Sequence, residues 1–129
     1  MPRPTKSQEL LEFEIGFYER LVATHPEFPD ALVALAEAYS RRGWHEKGLE
    51  LDRRLVELKP QDAIAWYNLA CSYALLKRFD EAVQALEKAL GLGYEDFAYL
   101  LRDPDLAGLR QSPKLRRLLE QRLPLQKSP

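Results

Sequence analysis

The sequence is poor in several features that would define other classes of protein. It holds one cysteine, Cys71, which excludes a disulfide framework and any metal site built from several thiolates. No apolar run approaches the ~20 residues needed to cross a bilayer, and the mean hydropathy is -0.41, so a membrane-spanning helix is excluded. Charge of one sign is also lacking: 19 Lys and Arg against 20 Asp and Glu leave a formal net charge of -1. A chain so nearly neutral carries no general electrostatic case for nucleic acid. The six glycines form no phosphate-cradling loop, and neither H-E-x-x-H nor a calcium-loop pattern occurs. The opening residues, MPRPTKSQELLEFE, turn acidic where a signal peptide would carry an apolar stretch. The expectation is a cytoplasmic chain without bound cofactor or metal.

What is present is a core. Hydrophobic residues make up 46% of 129 residues, enough for one compact domain. The charge is unevenly spread, with 7 Lys and Arg against 3 Asp and Glu over residues 97–129. The excess sits in Arg110, Lys114, Arg116, Arg117, Arg122 and Lys127. No aromatic residue is interleaved among these cations to stack bases. They are therefore expected to form a solvated helix face or to dock on the acidic body of the same chain.

A shift of 34 residues superimposes the sequence on itself. It places Pro26 on Pro60, Arg20, Leu21 and Val22 on Arg54, Leu55 and Val56, and Leu35, Ala36 and Tyr39 on Leu69, Ala70 and Tyr73. Each period has helical spacing: Trp66, Leu69, Ala70 and Tyr73 fall at i, i+3, i+4 and i+7, and Leu32, Leu35, Ala36 and Tyr39 repeat the stripe. Second helices are predicted at about 45–58 and 79–90, the latter with Ala82, Leu86, Ala89 and Leu90 on one face. Gly43, Pro60, Gly91 and Gly93 punctuate the pattern, and no segment alternates with period two. An all-α chain follows.

These residues resemble the tetratricopeptide repeat, whose pattern is W-x2-L-G-x2-Y, then A-x3-F and a closing proline on a 34-residue period. Residues 63–96 supply Trp66-x2-Leu69-Ala70-x2-Tyr73, then Ala82-x3-Leu86 with Ala89, but end in Tyr94 where the pattern has proline. Residues 29–62 keep Leu35, Ala36, Tyr39 and Pro60, with Gly48 for the small alanine and Asp52 for the aromatic; looser packing of that pair is expected. Residues 7–24 match the second half of a unit, and residues 97–123 are similar to a terminal cap, opened by Asp103-Pro104. Leu106, Leu109, Leu115, Leu118 and Leu119 would supply the cap's apolar face. Residues 1–6 and 124–129 are expected to be flexible. The resemblance implies one domain, a right-handed α-solenoid of antiparallel helix pairs.

The same resemblance implies a non-catalytic module that binds a peptide or helix of another protein on the first helix of each pair. The family's ligand-facing positions fall on Asp30, Val33, Ala34, Glu37, Ser40 and Arg41, and on Ile64, Tyr67, Asn68, Cys71, Ala74 and Leu75. Tyr67 would give contact area, Asn68 backbone hydrogen bonds, and Glu37 with Arg41 charge selection. The clamp that some members use for a chaperone's C-terminal carboxylate maps to Val33, Glu37, Asn68, Ala98 and Arg102. Only Asn68 and Arg102 match, and Glu37 would repel a carboxylate, so that specialisation is not expected. Two alternatives stand beside this reading. Phe97, Tyr99, Leu100 and Leu101 could fold back over Ile64, Tyr67, Cys71 and Leu75, and the chain could self-associate through a stack end or the cap. His25, His45 and Cys71 form no catalytic set by position.

Overall fold

A computed structural model describes residues 2–122; the expected flexible tail at 124–129 lies outside the described residues. Within them the secondary structure is helical throughout: α1 (Lys6–Thr24), α2 (Pro29–Arg42), α3 (His45–Leu58), α4 (Ala63–Leu75), α5 (Phe79–Gly91), the short α6 (Phe97–Leu100) and α7 (Pro113–Arg122). Two 3-10 turns, Pro104–Leu106 and Leu109–Gln111, join α6 to α7. The chain divides after Leu58 into two compact units.

In the first unit, α2 packs against both α1 and α3. Thr5 starts α1 through a capping box: its hydroxyl accepts from the Gln8 amide at 3.1 Å, and the Gln8 side chain accepts from the Thr5 amide at 2.7 Å. Of the lead at 1–6, Thr5 and Lys6 thus already belong to the helix start. Ile15 and Val22 of α1, Leu32, Leu35 and Ala38 of α2, and Leu49, Leu55 and Val56 of α3 form the core. Each large aliphatic side chain buried here contributes roughly 1.5–3 kcal/mol. At the pair where looser packing is expected, Gly48 and Asp52 are both buried, and a Cβ on Gly48 would sit 3.7 Å from the Ala36 carbonyl oxygen.

In the second unit α4 and α5 form the tightest pair. Ala70, Ala82, Leu86 and Ala89 are fully buried, so methyl groups at the crossing let the two backbones approach while leucines fill the flanks. Asp62 caps α4, its Oδ1 accepting from the amides of Ile64 at 3.0 Å and Ala65 at 3.3 Å. The Trp66 indole donates to the Pro60 carbonyl at 2.9 Å, tying the closing proline of one repeat to the aromatic of the next. The cap follows the same logic. Leu106, Leu109, Leu115 and Leu118 are buried, with α7 packed on α5 and Lys114 paired to Asp80 at 2.7 Å.

The helix ends repeat as faithfully as the core. Gly43 has φ +86° and Lys77, 34 residues on, has φ +60°. At both sites the following amide closes back on a tyrosine carbonyl: Trp44 on Tyr39 at 2.8 Å and Arg78 on Tyr73 at 2.9 Å. The turn imposes a left-handed residue whichever side chain the sequence supplies, at about 1–2 kcal/mol for a residue with a Cβ. Lys77→Gly is therefore expected to stabilise the second unit by about 1 kcal/mol and Gly43→Ala to destabilise the first by a similar amount. Thermal and urea unfolding of the two variants measure both signs.

Candidate functional site

The side of α4 that was expected to face a ligand is covered by the chain itself. Asp103 caps the 3-10 turn Pro104–Leu106, its Oδ1 accepting from the Asp105 amide at 2.9 Å. Its other carboxylate oxygen reaches back to α4, where the Tyr67 hydroxyl donates to it at 2.6 Å and the Cys71 thiol at 3.7 Å. Tyr94 lies flat on Tyr67, with ring centroids 4.2 Å apart and an interplanar angle of 4°. Tyr67 and Asp103 are only 4% and 2% exposed. Beneath them Leu100 and Leu106 are fully buried, and the Leu100 carbonyl accepts from Arg110 at 3.2 Å.

This arrangement fixes the protonation of the neighbouring groups. Burial first, and then the hydrogen bond to Asp103, push the Tyr67 phenol well above its ordinary range. Burial and the nearby Asp103 and Asp105 charges do the same to the Cys71 thiol. A thiol held protonated is a poor nucleophile. The ligand atoms of Cys71, Asp103 and Asp105 lie within 4.8 Å of one another, but the phenol, the thiol and a backbone amide already engage both Asp103 oxygens. The cluster is a hydrogen-bond network that fastens the cap.

The structure separates the expected contact residues into two groups. Tyr67 and Cys71 are buried against the segment 94–106, so the contact area assigned to Tyr67 faces the chain's own Tyr94. Ile64 is 63% and Val33 42% exposed, Glu37 and Arg102 are exposed, and Asn68 and Leu75 are half-buried. Arg41 is exposed but pairs with Glu14 of α1 at 2.7 Å and approaches Glu37 at 3.9 Å; the Glu14 pairing raises the Arg41 pKa and lowers that of Glu14. Arg102 lies over the Tyr99 ring at 5.8 Å. Of the four residues expected to fold back, Leu100 is buried and Phe97 half-buried, while Tyr99 and Leu101 stay exposed. Tyr94 and Asp103 cover Tyr67 instead. Asp-Pro announces a helix cap and thereby accounts for one carboxylate oxygen; nothing local marks the second. Tyr94 was legible only as a departure from the proline of the pattern.

Removing the carboxylate leaves the Tyr67 hydroxyl buried without its acceptor. Asp103→Ala is expected to destabilise the second unit by about 1–3 kcal/mol and Tyr67→Phe by less, measured by urea unfolding. Above about pH 10, the ordinary phenol value, the unfolded chain loses the Tyr67 proton while the folded chain keeps it. The stability linked to this group is therefore complete below about pH 10 and falls as pH rises further. Tyr67→Phe should flatten the alkaline limb of a stability–pH curve.

Residues 8–89 match the family described as anaphase-promoting complex, cyclosome, subunit 3, a tetratricopeptide-type repeat family. A chloroplastic protein of Arabidopsis thaliana is 40% identical over 86 residues, covering 64% of this chain and 26% of that protein. The BBSome complex member BBS4 of Bos taurus is 30% identical over 91 residues, covering 70% of this chain and 18% of that protein. The chain thus spans about a quarter or less of the length of these relatives. Its 34-residue period, its alanine-filled helix crossing and this match agree: the chain belongs to the tetratricopeptide-type repeat family.

Proposed function

We propose that the chain is a non-catalytic adaptor whose units each offer a helix face to a peptide or helix of a partner protein, α2 in the first unit and α4 in the second. Repeats of this family are protein-interaction modules in general and typically non-catalytic. The observation that carries the finer reading is the docking of the chain's own segment 94–106 on α4. A ring stacked on Tyr67 and a carboxylate accepting from Tyr67 and Cys71 amount to an intramolecular ligand, which supports this helix face as one built to hold a peptide. With Tyr67 and Cys71 so engaged, the contacts offered to a partner are Val33, Glu37 and Arg41 on α2, and Ile64 with the edges of Asn68 and Leu75 on α4. Val33 and Ile64 supply the apolar anchors; Glu37 and Arg41 select charge at the rim, where an ion pair contributes more to specificity than to affinity. The compartment we propose is the cytoplasm, supported by the single buried thiol. No helix among the described residues is long and apolar enough to cross a membrane.

The test uses peptides selected against the immobilised wild-type chain from a random library, with affinities then measured by fluorescence titration. Val33→Asp/Ile64→Asp replaces two exposed side chains and should leave the circular dichroism unchanged. It is expected to weaken the selected peptides by roughly tenfold or more. Peptides that bind the variant as tightly as the wild type would overturn the assignment of these positions.

A further inference from the structure

The period that places the helices fails at one turn, and a cavity lies there. Helices α3, α5 and α7 begin at His45, Phe79 and Pro113, 34 residues apart. The turns into α3 and α5 are closed by the left-handed Gly43 and Lys77, and each follows a tyrosine, Tyr39 or Tyr73. In the turn into α7 the equivalent residues are Gln111, which has no positive φ, and Ala107. The 3-10 turn Leu109–Gln111 closes the chain instead, the Ser112 amide donating to the Leu109 carbonyl at 2.8 Å. A large ring is therefore missing from this turn, and the next residue, Gly108, has no side chain. A Cβ on Gly108 would stand 3.3 Å from Cζ of Phe79, so bare backbone lies against the edge of that ring. The result is a depression of about 510 Å3, bounded on one side by the start of α5 and on the other by the start of α7. Phe79, Gly108 and Pro113 give it an apolar lining.

The charges around the depression identify what fits it. Lys114 pairs with Asp80 at 2.7 Å, so these two lining charges offset one another. Arg117, one turn further along α7, also lines the depression; it is exposed and makes no ion pair among the described residues. The side chains of Gln111 and Ser112 complete the lining and make no hydrogen bond among the described residues. An apolar surface with one unmatched positive charge is complementary to an apolar body that carries one negative charge. A guanidinium receives a carboxylate through two parallel N–H bonds, and the volume falls within the roughly 300–1,000 Å3 of small-molecule sites. We infer that this depression binds a small organic acid, a monocarboxylate whose apolar body lies against Phe79 and Pro113 and whose carboxylate is held by Arg117. Gln111 and Ser112 supply the remaining hydrogen-bond donors. The site shares no residue with the proposed peptide contacts and does not rest on them.

Titration of the isotope-labelled full chain with phenylbutyrate, followed through its backbone amide resonances, tests the site. The acid is expected to saturate with a dissociation constant of roughly a millimolar or below, moving the amides of Gly108, Gln111, Ser112 and Lys114. Phenylbutyramide carries the body without the charge, and acetate the charge without the body; each should bind about tenfold more weakly or worse. Arg117→Glu, at an exposed position, should weaken the acid by roughly tenfold or more and leave the neutral amide unchanged. Gly108→Val crowds the Phe79 ring and should weaken both. Circular dichroism confirms that each variant keeps its helices. An acid that fails to saturate, or that moves amides elsewhere instead, would overturn the inference. So would a neutral amide that binds as well as the acid, or an acid indifferent to Arg117→Glu. Tighter binding of an acetylated, amidated Phe-Glu dipeptide than of the free acid would assign the depression to a protein segment and overturn it equally. Val33→Asp/Ile64→Asp should bind phenylbutyrate as the wild type does, so the two sites are read separately.

Discussion

Close approach of helix backbones is the constraint from which the second unit is built. Ala70, Ala82 and Ala89 have no accessible surface, and a larger side chain at any of them would force α4 and α5 apart. Separation would cost more than local packing. Trp66, Leu69 and Tyr73 take their places from the same crossing, and the cap is seated on the two helices it brings together. The first unit has Gly48 at its crossing, where a Cβ would stand 3.7 Å from the Ala36 carbonyl oxygen, an ordinary van der Waals contact.

A carboxylate buried among apolar residues is costly unless its oxygens are satisfied. Asp103 is satisfied by three donors from two elements, which binds the order of the 3-10 turn to the surface of α4. The cap is thus held by a directional bond as well as by leucines. Apolar burial alone tolerates sliding of one surface over another; a short hydrogen bond from a phenol to a carboxylate does not. Stacking of Tyr94 on Tyr67 fixes the remaining freedom of that ring.

The repeat architecture was legible because it is written redundantly. Leu35, Ala36 and Tyr39 recur as Leu69, Ala70 and Tyr73, and the helix boundaries follow the punctuation at Gly43 and Pro60 to within a few residues. Asp103 and Tyr94 were legible only in part, since their roles depend on contacts 27 to 36 residues distant in sequence and no period repeats them. The same limit applied to Tyr67: its position in the pattern led to the expectation of a ligand-facing residue, and only the folded chain reveals Tyr94 and Asp103 against it. Lys77 offers the reverse lesson. Its side chain disguises a turn that the equivalent Gly43 advertises, and the period recovers it.

The distribution of the two indole rings has a practical consequence. Trp44 belongs to the first unit, beneath Lys47 and Arg42, and Trp66 to the second, bonded to the Pro60 carbonyl and lying below Lys88. Each half of the molecule therefore carries its own intrinsic fluorophore, set among different neighbours. Replacing one ring with phenylalanine leaves an emission signal that belongs to the other half alone. The cooperativity between the halves then becomes an optical quantity, read as the coincidence or separation of two melting curves from one sequence.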